Sequence, residues 1–219
     1  MRTVIAGGHG QIALRLERRL AARGDEAVGL IRDPAQAADL RAVGAEPVVL
    51  DLESASVDEV AAVLRGADAA VFAAGAGPGS GAERKITVDR DAAVLLADAA
   101  ERAGVRRFLI VSSMGADADA THSDEVFQAY LRAKGAADDA IRARDALDWT
   151  VLRPGALTDV PGTSRVRLAA ATGRGSVPRE DVAAVLAALL TAPETAGLTL
   201  ELVSGDTSVE DAVAHAPTP

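Results

Sequence analysis

The chain has one tyrosine, Tyr130, and four residues after it stands Lys134, one of only two lysines in 219 residues. Side chains at i and i+4 of a helix share a face, so the two can meet. A free phenol ionises near pH 10, and an ammonium beside it stabilises the phenolate, which moves the group toward use as a general acid. By composition alone, a given position carries lysine with a chance of 2/219, roughly 1 in 100. All basic residues except Lys85 and Lys134 are Arg, which would serve a solvated helix face equally well. A need for a compact ammonium explains the lysine better.

A second constellation lies at the start of the chain. "VIAGGHGQIALRL" sets Gly7, Gly10 and Ala13 in Gly-x-x-Gly-x-x-Ala spacing between an apolar run and an amphipathic one. Gly7 suits a tight turn, Gly10 lets backbone N–H groups approach a pyrophosphate, and Ala13 is small enough for close helix–strand packing. His9, Gln11 and Ile12 belong to the same turn and are candidate cofactor contacts. About 20 residues further on, an acid would hold the ribose of NAD and a basic residue the 2′-phosphate of NADP. Arg32 comes first there and Asp33 second, which favours NADP; Asp33 then suits the cap of the next helix. Asp51 and Leu52, at the end of the third strand, are candidates for the adenine. Ala73, Ala74 and Gly75, at the end of the fourth, are small enough for the cofactor to lie against.

The elements that must position these residues alternate. Strands are expected over 2–7, 26–32, 46–51, 68–75, 106–113, 148–155 and 198–205, with a weaker one over 165–171. Helices are expected over 11–24, 34–44, 56–66, 83–104, about 124–145 and 179–192. Such alternation implies βαβ crossovers, hence a mostly parallel sheet covered on both faces, a doubly wound α/β fold. Residues 1–219 read as one nucleotide-binding domain, with substrate-side elements mainly within 114–178 and 198–215. Forty-nine per cent of the chain is hydrophobic, enough for a sizeable core. A net charge of −9 gives no basic face for nucleic acid. No apolar run approaches the roughly 20 residues that span a bilayer. The N-terminus lacks signal-peptide character and there is no cysteine, so a cytoplasmic protein is expected. Three scattered histidines give no support for a metal site. The sequence leaves monomer and homodimer equally open.

Taken in order, the phosphate turn, "LIRDP", "LDLE", "VFAAG", "VSS", "YLRAK" and "LRPG" resemble the short-chain dehydrogenase/reductase superfamily. "GAERKITVDRD", "VSSMGAD" and "LDWTVLRPGALTD" are similar to its atypical NAD(P)-binding subgroup, often labelled sugar-nucleotide-epimerase-like. The resemblance implies a Rossmann sheet of strand order 3-2-1-4-5-6-7 with NADP as cofactor. By position it makes Ser113, or its neighbour Ser112, the substrate-polarising serine, Tyr130 the acid/base, and Lys134 the residue that binds the nicotinamide ribose. Pro154 and the loop 155–164 border the nicotinamide. Asp89 stands where the wider family has Asn, a departure that the subgroup shares. Fewer than 70 residues follow "LRPG", less than a sugar-nucleotide domain needs.

The expectation is an NADP-dependent oxidoreductase that transfers hydride to a small carbonyl or quinone-like molecule. The alternatives are a non-catalytic NADP(H) sensor and an epimerase or dehydratase. Lys85 is open between a cofactor phosphate, a substrate anion and the surface. The acidic stretch 117–125 is a lid or a solvated loop, Trp149 and 183–190 are core, and the tail 215–219 is frayed.

Overall fold

A computed structural model describes residues 1–77 and 79–217. Pro78, within the Gly-rich loop, and Thr218 and Pro219, in the tail expected to fray, lie outside the described residues.

Apolar residues at period two make strands that are buried on both faces. Along β1 (Arg2–Ala6), Val4 and Ala6 face one core and Ile5 the other. The chain continues through α1 (Gln11–Ala22), β2 (Glu26–Ile31), α2 (Ala37–Ala42), β3 (Glu46–Val49), α3 (Val57–Leu64) and β4 (Ala69–Phe72). A short turn, α4 (Ala82–Arg84), leads through Lys85–Asp91 into α5 (Ala92–Ala103), then β5 (Arg107–Val111), α6 (Glu125–Arg142) and β6 (Asp148–Pro154). The last third comprises β7 (Ala156–Thr158), β8 (Arg165–Ala169), β9 (Ser176–Pro178), α7 (Arg179–Leu189), β10 (Leu198–Ser204), β11 (Thr207–Ser208) and α8 (Val209–Ala214). Caps begin several helices: Ser56 and Glu59 close a capping box on α3, and Asp124 accepts from the Phe127 amide at the start of α6.

The main sheet runs β11-β8-β10-β6-β5-β4-β1-β2-β3. From β3 to β10 it is parallel and follows the expected order, with β10 as the seventh strand. The expected seven strands become nine. β8 adds antiparallel to β10 and β11 antiparallel to β8, because the chain returns after β6 to cover the open edge. α1, α7 and α8 pack on one face, and α3, α5 and α6 on the other. Among the described residues no helix is long and apolar enough to cross a membrane.

One element departs from expectation in a way that matters. The segment 83–104 is not one regular helix, since Lys85–Asp91 is a π-helical turn between α4 and α5. α5 buries Ala92, Ala93, Leu96, Ala97 and Ala100 against the sheet. The wider turn gives the preceding stretch its own register and buries Lys85, Val88 and Asp89. π-helical turns of this kind recur at functional sites.

Candidate active site

The strand ends of β1, β2, β3 and β4 frame a first cavity of about 260 Å³. Gly7 has φ of 79°, and a Cβ there would fall 2.6 Å from the Ala74 Cα, so only glycine lets the turn lie against β4's end. The Gly10 amide donates to the Gly7 carbonyl at 2.7 Å, and α1 starts at Gln11 without a side-chain cap. The first-turn N–H groups of α1 are therefore available to an anion at the helix's positive end. His9 lines this cavity and pairs with Asp39 at 2.7 Å, which fixes the loop. Ala73, Ala74 and Gly75 form its floor, and Asp51 and Leu52, the residues expected at the adenine, also line it. Gln11 is exposed and lines neither cavity, whereas Ile12 lines the second.

Arg32 lines the first cavity with its side chain 57% exposed and its Nη1 3.6 Å from Glu53. Asp33 instead accepts from the Ala35 amide at 2.9 Å, as a cap. Two residues that sequence reasoning missed complete the corner. Arg84 donates to Glu53 at 2.6 Å, and Thr87 donates to its other oxygen at 2.8 Å. The Arg84 hydrogen bond, above all, holds the Glu53 carboxyl below its ordinary range. Two guanidiniums thus flank one carboxylate beside the position expected for the adenosine ribose.

A second cavity, of about 470 Å³, shares Ala73, Ala74, Gly75 and Ala76 with the first, so one groove crosses the end of β4. Tyr130, Lys134 and Ser112 line it, together with Lys85, Asp89 and Phe127. Lys134 is buried; it donates to the Val111 carbonyl at 3.0 Å and lies 3.3 Å from Asp89. Asp89 also accepts from the Ala76 amide at 3.3 Å, which ties the floor of the groove to the π-helical turn. Tyr130 stacks on Phe127 with ring centroids 5.9 Å apart. The cation over the Tyr130 ring is Lys85, with its Nζ 5.5 Å from the centroid, and no hydrogen bond joins Tyr130 to Lys134 among the described residues. Lys85 is 8% exposed, which removes the surface reading.

The serines after β5 divide. Ser112 is on the wall and donates to Asp138 at 2.8 Å; that same oxygen also accepts from Arg153 at 2.9 Å. Burial is the main cause that raises the Asp138 carboxyl above its usual range, and Arg153 opposes it. Ser113 points to the Met114 carbonyl at 3.3 Å and lines neither cavity. Pro154 is buried and lines neither; its carbonyl accepts from the Met114 amide at 3.0 Å and so fixes the turn that carries both serines. The acidic stretch does not float free. A Cβ on Gly135 would fall 2.3 Å from the Ala118 amide nitrogen, so α6 is in backbone contact with residues 117–118. Trp149 packs against one core and α7 belongs to the other, as expected. Among the described residues there is no cluster that could hold a metal ion.

Comparisons with known proteins give the chain its family. The model of a family described as NAD(P)H-binding matches residues 7–193. The chain is 36% identical over 214 residues to an uncharacterized sugar epimerase of Bacillus subtilis, covering 97% of this chain and 99% of the relative. A solved structure of a candidate NAD-dependent epimerase/dehydratase from Bacillus halodurans superposes with a TM-score of 0.90 at 36% identity, over 98% and 99% of the two chains. An oxidoreductase from Lactococcus lactis superposes with a TM-score of 0.84 at 25% identity, over 98% and 95%.

Proposed function

The chain belongs to the NAD(P)H-binding family, within the atypical short-chain dehydrogenase/reductase type, and from that premise we propose that it is an NADP-dependent reductase of a small carbonyl or quinone-like substrate. The observation that carries this reading is the groove itself. It joins a glycine phosphate turn to a half-buried tyrosine with a lysine over its ring. Bound NADPH would supply the hydride. The turn at Gly7 and Gly10 with the start of α1 would hold its pyrophosphate, and Ala73, Ala74 and Gly75 the cofactor backbone. Lys134, near the floor of the second cavity, would hold the nicotinamide ribose. The Tyr130 hydroxyl would deliver a proton to the substrate oxygen, so that two-electron reduction by the bound NADPH would turn a carbonyl into an alcohol or a quinone into a hydroquinone. Ser112, which lines the cavity where Ser113 does not, would polarise the substrate oxygen by turning its single O–H from Asp138 toward it. NADPH consumption with a panel of quinones, aldehydes and ketones tests the reading. Tight NADPH binding without oxidation of NADPH by any of them would sink it.

That outcome would favour a second reading, a cofactor sensor. Its support is the pairing of Lys134 with Asp89 and the Val111 carbonyl, which holds that ammonium away from Tyr130.

The choice of NADP rests on Arg32 and Arg84. A 2′-phosphate between them would take over the charge pairing that Glu53 now provides. Arg32→Ala and Arg84→Ala are each expected to weaken NADPH binding about tenfold and to leave NADH within about twofold. Fluorescence titration of both cofactors is the measurement. Equal loss for NADH would instead assign the corner to a ribose hydroxyl that donates to Glu53.

A further inference from the structure

Among the buried charged side chains in and beside the second cavity, one lacks a counter-ion; Asp124, which also lines this cavity, is exposed and accepts from the Phe127 amide. Lys134 lies 3.3 Å from Asp89, and Arg153 lies 2.8 Å from Asp138. Lys85 has no carboxylate within 4.0 Å among the described residues, although it is 8% exposed. Its one hydrogen bond there is to the Gly77 carbonyl at 2.9 Å, which leaves two of the three ammonium donors without a partner. The Tyr130 ring supplies a cation–π contact, a weaker compensation than a counter-ion. A buried charge without a counter-ion carries a large desolvation cost. Lys85 reaches this position as the first residue of the π-helical turn.

We propose that Lys85 is the docking point for an anionic group of the substrate, so that the acceptor handled in this groove is an apolar organic anion such as a carboxylate-bearing carbonyl compound. The proposal rests on the reductase reading of the same groove and narrows its substrate. The apolar part of such a molecule has a matching surface, because Val126, Phe127 and Leu157 line the same cavity while 45%, 43% and 38% exposed. A cofactor phosphate does not account for Lys85. It lines the cavity of Tyr130, not the one formed by Gly7 and Gly10 at the start of α1.

The test uses the full chain saturated with NADP+, which cannot reduce the probe. Calorimetric titration with 6-formyl-2-naphthoate and with its methyl ester compares one aldehyde with and without the negative charge. The acid is expected to bind at least tenfold more tightly than the ester. Lys85→Met should bring the two within twofold, Lys85→Arg should keep part of the preference, and both should leave the NADP+ Kd within twofold. Equal binding of acid and ester, no binding of either, or a preference that survives Lys85→Met overturns the proposal. So does a tenfold loss of NADP+ affinity in Lys85→Met, which would assign the lysine to the cofactor. The wild-type comparison needs no variant to fold. NADPH oxidation by the same two compounds is read separately: acid-selective binding without oxidation would leave the anion site standing and sink the reductase reading.

Discussion

Tyr130→Phe is expected to lower kcat for NADPH-dependent reduction by about 10²- to 10⁴-fold, the usual contribution of a positioned general acid, and to leave NADPH affinity unchanged. The substitution is conservative for packing. The ring stacked on Phe127 and lying under Lys85 remains, and only the hydroxyl is lost. The residues proposed for the pyrophosphate and adenosine line the neighbouring cavity, and Lys134, which shares the second with Tyr130, is held by Asp89 and the Val111 carbonyl rather than by that hydroxyl. Single-turnover measurement of NADPH oxidation separates the chemical step from release. A rate within threefold of wild type would show that Tyr130 shapes the cavity and that the proton comes from elsewhere. Lys85 and Lys134 would then separate further. Lys134, tied to Asp89 and Val111, would affect cofactor binding, and Lys85, over the ring, would affect substrate.

The second large effect is on stability, and it comes from beneath the phosphate turn. α1 buries Ala13, Leu16, Glu17 and Leu20, so a glutamate occupies a position in an otherwise apolar stripe. Glu17 is 0% exposed, and neither carboxyl oxygen has a hydrogen-bond partner among the described residues. Its Oε1 lies against the backbone of Gly8 and Gly29: a Cβ on either would come within 3.1 Å of it. Burial pushes the carboxyl up to about 8 from 4.5, so at neutral pH it is protonated in the fold. Above pH 4.5 the unfolded chain has released this proton and the folded chain has not. Stability therefore falls as pH rises from about 4.5 to about 8 and levels off beyond. At 1.36 kcal/mol per unit the whole span is about 5 kcal/mol. Glu17→Gln keeps the shape and cannot ionise. It should flatten this part of the profile and raise Tm at pH 9 by roughly 10 °C, with little change at pH 5. Asp138 is raised by burial too and contributes a slope of the same sign, so the difference between variant and wild type is the quantity that isolates Glu17. Parallel profiles for the two proteins would show that Glu17 does not titrate as a buried acid.

Much of this site was legible in the sequence because its signals are local. The glycine turn is contained in seven residues, and β1 and α1 flank it as their patterns require. The scarcity argument that marked Lys134 applies with equal force to Lys85, the only other lysine, and both prove buried in the same cavity. What was hidden depends on register or on distance along the chain. Adjacent residues leaving a strand point to opposite sides, so a choice between Ser112 and Ser113 turns on one residue. The Glu53–Arg84 pair joins positions 31 apart, and nothing in either segment announces the other. β8 alternates exposed and buried residues and is recognisable as a strand, yet its antiparallel direction is decided by how the chain returns across β10. The π-helical turn is invisible to a periodicity that averages over 20 residues.

That turn also bears on how such proteins diverge. In a regular helix each residue adds about 100° of rotation, so the loss of one residue from Lys85–Asp91 would turn everything before it by that angle relative to α5. The core residues of α5 would stay in place while Lys85 swung out of the groove. A single-codon deletion would thus erase the charge of the proposed anion site without a cost to the core, and a single-codon insertion would create it. In this family a change of substrate need not pass through a series of point substitutions; it can arrive as a change of length by one.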